Sequence, residues 1–144
     1  MKNNEMIQLK FDKYVFPVPR EVIKQFILDE LHRLSKKTGE SIECLKIEFD
    51  DNHSNNTIAY FSHIRNKPMG FCFHLNMFNL TTPNKIIDTV RHEFAHFLVC
   101  VRNITDEEIK AHGKEWKAVC KELDANASPH LNNDFTNHII SKGG

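Results

Sequence analysis

Several features that would place this 144-residue chain in a special class are missing. No apolar run approaches the roughly 18 residues of a membrane span, and residues 1–10 are polar rather than typical of a secretion signal. No repeat, low-complexity tract or flexible linker divides the chain, which has five glycines and five prolines. We therefore expect one domain over residues 1–144, with its core at about 15–125, a polar C-terminal tail, no membrane contact and a cytoplasmic location.

Excess charge of one sign is missing too. Nineteen Lys and Arg balance nineteen Asp and Glu, and the balance holds along the whole chain, so no basic half or tail indicates phosphate binding. The four cysteines include no Cys-x-x-Cys pair, which argues against a zinc ribbon or a redox motif, and we expect reduced, mostly buried thiols. The unusual number is nine histidines.

The apolar periodicity predicts a helix, three short strands and two further helices. The first helix begins at Pro19 and ends at Gly39, and the strands follow near residues 45–49, 58–64 and 71–75. Thr82 followed by Pro83 is a strong start signal for a helix that runs to about Arg102. Short connections between the strands favour an antiparallel meander, so we expect an α+β fold with helices covering one face of a three-stranded antiparallel sheet.

The second predicted helix contains the sequence His92-Glu93-Phe94-Ala95-His96. Residues four apart on a helix have Cβ atoms about 5–6 Å apart, so both imidazoles can reach one Zn²⁺ ion. Glu93 is turned aside from the two histidines and can act on a water at the metal as a general base. Between His92 and Val101 the only formal charge is Glu93, so this part of the helix is predicted to be covered nearly all round, and polar groups placed there need partners.

A catalytic zinc site needs a third protein ligand and one open position. The best candidate is His112, four residues before Trp116 and therefore on the inward side of the last predicted helix. Gly113 allows the backbone to pass close to the site. Residues 106–108 offer carboxylates as well, although they fit a capping box equally well.

A His-Glu-x-x-His sequence alone is moderate support, because a shuffled chain of this composition contains one roughly once in twenty-five. The helical context of the motif and the position of His112 provide the further support for a metal site. His63 and His74 lie on predicted strands, opposite the main apolar face, and are candidates for lining the cleft. The sequence assigns no second oxyanion donor, for which Tyr60 and these two histidines are the available guesses.

These residues, over about 70–125, resemble the SprT-like zinc metallopeptidases, the SprT/Spartan protease domain. In that family one helix carries His-Glu-x-x-His, and a His-Gly-x-x-aromatic segment brings the third zinc ligand. The matching segments here are His92–His96 and His112–Trp116. The resemblance implies a zincin-type active-site helix, protein or peptide substrates and, as in Spartan, an association with DNA. This chain lacks the cysteine-rich ribbon and the basic elements of such relatives, so the role at DNA follows from the resemblance alone.

We therefore expect a zinc metallopeptidase in which His92, His96 and His112 bind one Zn²⁺. Glu93 takes a proton from the attacking water and returns it to the leaving amine. Two alternatives are a zinc-binding interaction module without catalysis and a regulatory peptidase like ImmA/IrrE, in which the third ligand is acidic. The sequence predicts neither the substrate nor the oligomeric state.

Overall fold

The computed structural model describes residues 6–51, 57–65, 67–102 and 114–125, which form an α+β arrangement of three helices and two small sheets. Five strands and three helices follow in chain order: β1 (Met6–Phe11), β2 (Tyr14–Pro19), α1 (Arg20–Thr38), β3 (Lys46–Asp50), β4 (Ala59–Ile64), β5 (Lys67–His74), α2 (Pro83–Val101) and α3 (Lys114–Glu122). A short 3-10 turn, Leu75–Phe78, connects β5 to the segment before α2. None of the described helices is long and apolar enough to cross a membrane.

The helix boundaries predicted from the sequence are confirmed. Helix α1 follows Pro19 and ends at Gly39, which adopts the left-handed conformation expected of a C-terminal cap. Helix α2 begins at Pro83, and the side chain of Thr82 accepts a hydrogen bond from the backbone N–H of Lys85. Apolar side chains from α1, α2 and α3 meet in one core with the inner face of the sheet.

The prediction of an antiparallel meander is wrong. The three-stranded sheet has the order β3-β5-β4, and only β4 pairs with β5 in antiparallel fashion. Strand β3 pairs with β5 in parallel, with Asp50 opposite His74 and Glu48 opposite Cys72. A parallel neighbour requires a crossover. Here β4, which follows β3 in the chain, lies at the far side of the sheet, and β5 then takes the position between them. Periodicity of two identifies strands but does not give their direction, so the sequence could not distinguish these arrangements.

A hairpin of β1 and β2 precedes α1 and was not predicted. Its strands pair from Met6 opposite Pro19 to Phe11 opposite Tyr14. Backbone hydrogen bonds also join β1 to the segment just before α2, because Gln8 accepts from Leu80 and Lys10 donates to Thr81. The core therefore begins near Ile7, earlier than the boundary of about residue 15 expected from the sequence. The polar C-terminal segment 126–144 lies outside the described residues.

Candidate metal centre

Helix α2 presents His92 and His96 on one face, one helical turn apart. Their ring centroids lie 5.1 Å apart, with an interplanar angle of 70°. The His92 side chain is fully buried, and His96 is nearly so. Two imidazoles held this close inside the protein are a feature of metal sites.

Helix α3 packs against both histidines through Trp116. The indole ring lies 5.0 Å from the His92 ring and 5.5 Å from the His96 ring, measured between centroids, and it stacks on His96. Trp116 is itself fully buried, as are Cys120 on the same helix and Leu123 just after it. The inward face of α3 predicted from the sequence is therefore confirmed, and the start of this helix is held beside the two histidines.

The proposed third ligand, His112, lies outside the described residues, and so do the carboxylates at 106–108. The described part of α3 begins at Lys114, two positions after His112. The position of the His112 ring stays a prediction.

Glu93 is also fully buried, in the turn of α2 that carries His92. Its Oε2 atom lies 4.0 Å from Nε2 of His92. Burial raises the pKa of Glu93 well above the ordinary value for a carboxyl group, and a hydrogen bond from the Phe61 backbone partly opposes this shift. A buried carboxyl with a raised pKa is suited to accept a proton and to release it again.

The donor set at this position fits a zinc ion. Zn²⁺ prefers imidazole nitrogen, and His92 and His96 supply two such donors from adjacent turns. The fully buried Glu93 carboxylate beside them costs free energy in its ionised form, and a divalent cation a few ångströms away would reduce that cost. Three residues of the motif, His92, Glu93 and His96, thus lie together as the sequence predicts.

Strand β4 forms the edge of the sheet next to this centre. In the order β3-β5-β4 its outer side has no neighbouring strand among the described residues. The hydrogen bond between Glu93 and the Phe61 backbone places the carboxyl of Glu93 at this strand. An extended peptide could therefore pair with β4 close to the histidines.

The strand residues suggested for the cleft are placed differently from the expectation. Phe71 packs on Phe94 and Phe97 of α2, so the alternate residue Cys72, and Tyr60 opposite it, lie on the other face of the sheet. Tyr60 is therefore not an oxyanion donor for the centre on α2. His74 lies on that same outer face, as the strand pattern predicts, and so does not line the cleft.

His63 lies on the inner side instead, because its ring stacks on Phe61 with a centroid distance of 5.9 Å. Phe61 in turn contacts Phe97 of α2. The predicted face of His63 is wrong, since Phe61, two residues before it on β4, is fully buried in the core, whereas Tyr60 lies on the other face. A β-bulge between Ser62 and His63 interrupts the pairing at this point.

A second group of possible metal ligands was missed by the sequence analysis. Asp50, Cys72 and His74 each offer one ligand atom, and these atoms lie within 4.8 Å of one another. Cys72 was expected only as a buried thiol. All four cysteines are indeed free, and three of them are buried. The sequence analysis could not find this group, because Asp50 comes beside His74 only through the parallel register of β3 on β5.

Comparison with known proteins gives one match. A sequence model of the SprT-like family matches residues 28–137, about three quarters of the chain. The matched region begins within α1 and includes the three-stranded sheet, α2 and α3, whereas the hairpin of β1 and β2 lies before it. No curated protein and no solved structure matches the chain.

Proposed function

This chain belongs to the SprT-like family, and from that premise we propose that it is a zinc-dependent metallopeptidase. The observation that carries the proposal is the arrangement on α2, where His92 and His96 lie side by side with the buried Glu93 between them in sequence. Two imidazoles and a nearby carboxyl of raised pKa are the donors and the base that zinc-assisted hydrolysis requires.

His92 and His96 would hold the ion, with His112 as the proposed third ligand. Bound zinc would polarise the carbonyl of the scissile peptide bond and lower the pKa of the attacking water. Trp116 fixes the two imidazole rings from the side of α3, because a flat ring stacked on His96 limits its rotation. Preorganised ligands of this kind keep the geometry of the centre constant during the reaction.

Glu93 performs the proton transfers. Its carboxylate takes a proton from the water that attacks the peptide carbonyl, and the raised pKa makes the resulting carboxylic acid stable enough to persist. It then gives this proton to the leaving amine. Because the Phe61 backbone also contacts Glu93, a substrate paired with β4 would present its scissile bond at this carboxyl.

The substrate class in this proposal is a protein or peptide in extended conformation. The outer edge of β4, which has no neighbouring strand among the described residues, would supply backbone donors and acceptors for it beside the Phe61 group that bonds to Glu93, and such groups do not distinguish between side chains. Selection among substrates would then depend on the groups around the cleft, among them His63.

Association with DNA is a further part of the proposal, and the hairpin of β1 and β2 is the described surface that suits it. Phe11, Tyr14 and Phe16 are exposed there, and Lys13 Nζ lies 5.8 Å from the centre of the Tyr14 ring. Exposed aromatic rings flanked by lysines can stack on the bases of single-stranded DNA. Binding of a labelled single strand, weakened in Tyr14→Ala and unchanged in Val22→Ala on α1, would support this role.

The deciding experiment combines metal analysis with a proteolysis assay on unfolded protein substrates, with and without single-stranded DNA. We expect the wild type to bind zinc at this centre and to cleave, whereas Glu93→Gln should keep the zinc and lose cleavage by roughly 10²–10⁴-fold. Glu43→Gln, at an exposed position of the chain, is the matched control and should cleave normally.

The alternatives predict different results. A zinc-binding module without catalysis would give the same biological activity in the wild type and in Glu93→Gln. A regulatory peptidase of the ImmA/IrrE type would keep its zinc at this centre in His112→Ala, because its third ligand is acidic. Loss of that zinc in His112→Ala supports the three-histidine site.

A further inference from the structure

The outer face of the three-stranded sheet carries a compact set of polar side chains that the peptidase proposal does not use. Strand β3 contributes Glu48 and Asp50, and β5 contributes Cys72 and His74 directly opposite them. Tyr60 of β4 lies on the other side of Cys72. Since Phe71 and Phe73 of β5 point toward the core, this face is separated from His92 and His96 by the thickness of the sheet.

Three of these side chains converge on one point. Nδ1 of His74 is hydrogen-bonded to Oδ1 of Asp50, and Sγ of Cys72 lies 3.7 Å from Oδ2 of the same carboxylate. Donors around a tetrahedral zinc ion lie about 3.5 Å apart, given bond lengths of 2.0–2.3 Å. The spacing of at most 4.8 Å among the three ligand atoms is therefore close to what an ion needs.

We propose that Asp50, Cys72 and His74 form a second metal site, which binds Zn²⁺ on the outer face of the sheet. The combination of thiolate, imidazole and carboxylate favours zinc over magnesium or calcium, which prefer oxygen ligands alone. Cys72 and His74 are buried, whereas the Asp50 side chain is 52% exposed, so the site opens to solvent on one side, from which a water would supply the fourth ligand.

The charge around the cluster also favours a cation. Asp50 and Glu48 both lie close enough to Cys72 to act on its thiol electrostatically. Lys46 forms an ion pair with Glu48 at 3.3 Å, but both of these side chains are at least half exposed, so solvent screens the pair. A divalent cation bound by Asp50 would compensate the negative charge at the buried end of the face.

A nucleophilic triad is the competing interpretation of a cysteine, a histidine and an aspartate. In such a triad the thiol contacts the imidazole, whereas here Sγ of Cys72 faces Oδ2 of Asp50 at 3.7 Å, and His74 bonds to the same carboxylate through Nδ1. Catalytic cysteines are activated by a neighbouring imidazolium or helix N-terminus. Here the carboxylate stands next to both the thiol and the imidazole, so the geometry suits a shared ion and not an activated thiolate.

Such an ion would connect the ends of β3 and β5, just before the 3-10 turn that leads to α2. Strand β3 is an edge strand whose only strand partner among the described residues is β5. Metal binding would therefore stabilise the pairing of β3 with β5. The proposed role is structural, and it holds whether or not the centre on α2 is catalytic.

Cobalt titration of the metal-free, reduced full-length protein tests the proposal. A thiolate bound to Co²⁺ produces a charge-transfer band in the near ultraviolet, whereas a site of histidines alone does not. We expect this band in the wild type and in Cys44→Ser, a control at an exposed free cysteine, and its loss in Cys72→Ser. No band in the wild type, or an unchanged band in Cys72→Ser, would overturn the proposal.

Asp50→Asn provides a second test, because Asp50 is exposed and its replacement leaves the buried thiol in place. Removing this ligand should weaken Co²⁺ binding, read from the same band, by at least about tenfold. Equal affinity in Asp50→Asn and the wild type would contradict the site. Catalysis plays no part in either measurement, and failure of the peptidase proposal therefore gives a different set of results.

Discussion

Arg91 donates a hydrogen bond from Nε to Oε2 of Glu30 at 2.8 Å. Arg91 directly precedes His92 on α2, and Glu30 lies on α1. The same guanidinium donates from Nη1 to the backbone carbonyl of Asp124, just after α3. One side chain therefore connects all three described helices at the position where the metal centre begins.

Replacement of Glu30 should show the contribution of this connection. Glu30→Gln weakens the hydrogen bonds from both Arg91 and Arg33 at a position that is only 11% exposed, so we expect a loss of about 1–3 kcal/mol in the free energy of unfolding. Glu21→Gln on the same helix is the matched control. Its carboxylate is 81% exposed, so its ion pair with Lys24 should contribute about 0.2–1 kcal/mol. Urea denaturation at neutral pH measures both, and equal losses would argue against the connection.

The stability difference between the wild type and Glu30→Gln should also depend on pH. Burial alone would raise the pKa of Glu30, but hydrogen bonds and charges from Arg33 and Arg91 outweigh it and leave the pKa below the ordinary value. A lowered pKa in the folded state contributes stability above the unfolded pKa of about 4.3, and this contribution is lost as the pH falls through the folded pKa. The difference between wild type and Glu30→Gln should therefore shrink in acid. A difference that grows in acid would contradict the assignment.

Gly70 allows β3 and β5 to approach closely. A Cβ atom at this position would lie 2.1 Å from the backbone carbonyl oxygen of Lys46, and a backbone atom cannot move aside cheaply. Gly70→Ala should therefore cost about 3 kcal/mol or more. Gly39→Ala is the control, since Gly39 has φ +77° but open space around it, and the expected cost is about 1–2 kcal/mol. Equal costs in thermal denaturation would show that the register of β3 on β5 is not as described.

Much of the helical part could be predicted, because its signals are local. Thr82 and Pro83 set the start of α2, and the four-residue spacing of His92 and His96 then fixes their common face. Trp116 could be placed inward for the same reason. These inferences depend on one helix at a time, so no knowledge of the sheet was needed.

The sheet could not be predicted to the same extent, because its arrangement depends on contacts between distant segments. Alternation along β3 and β5 is identical for parallel and antiparallel neighbours, and the parallel choice brings Asp50 beside His74. The hairpin of β1 and β2 was missed, although Ile7 and Leu9 alternate inward, because prolines at 17 and 19 argue against a strand. Both prolines are tolerated in a two-stranded sheet, where β1 is the only strand beside β2 in the described part of the chain.

Trp116 provides an internal probe of the centre on α2. It is the single tryptophan of the chain, and its ring lies within 5.5 Å of both histidine rings. Adding Co²⁺ to the metal-free protein should therefore quench its emission. In His96→Ala, we expect half-maximal quenching to require a Co²⁺ concentration at least about tenfold higher.

Two controls make the fluorescence experiment specific. His32→Ala changes an exposed histidine on α1 and should quench as the wild type does. Cys72→Ser should also keep the quenching, since Cys72 lies on the other face of the sheet. Quenching that is unchanged in His96→Ala would mean that the ion binds elsewhere.

Glu93 should make the metal-free protein less stable at neutral pH. Its pKa is raised because it is buried, so the folded state binds its proton more tightly than the unfolded state does. The resulting stability is fully present below the unfolded pKa of about 4.3 and is lost as the pH rises through the higher folded pKa. Glu93→Gln has no charge to bury. In the presence of a chelator, it should unfold at a higher temperature than the wild type at pH 7.

The comparison with Glu122 tests the sign of this argument. A hydrogen bond from Arg102 lowers the pKa of Glu122, so Glu122→Gln should reduce the unfolding temperature at pH 7, opposite to the change in Glu93→Gln. Near pH 4 Glu93→Gln should approach the wild type, because Glu93 is then largely protonated in the unfolded state as well as in the folded one. The loss in Glu122→Gln should disappear only at lower pH, as the pH falls through the lowered folded pKa of Glu122. Zinc should reduce the advantage of Glu93→Gln, since a cation at His92 and His96 stabilises the adjacent carboxylate. A metal-free Glu93→Gln protein that is less stable than the wild type at pH 7 would mean that the Glu93 carboxylate is already compensated without an ion.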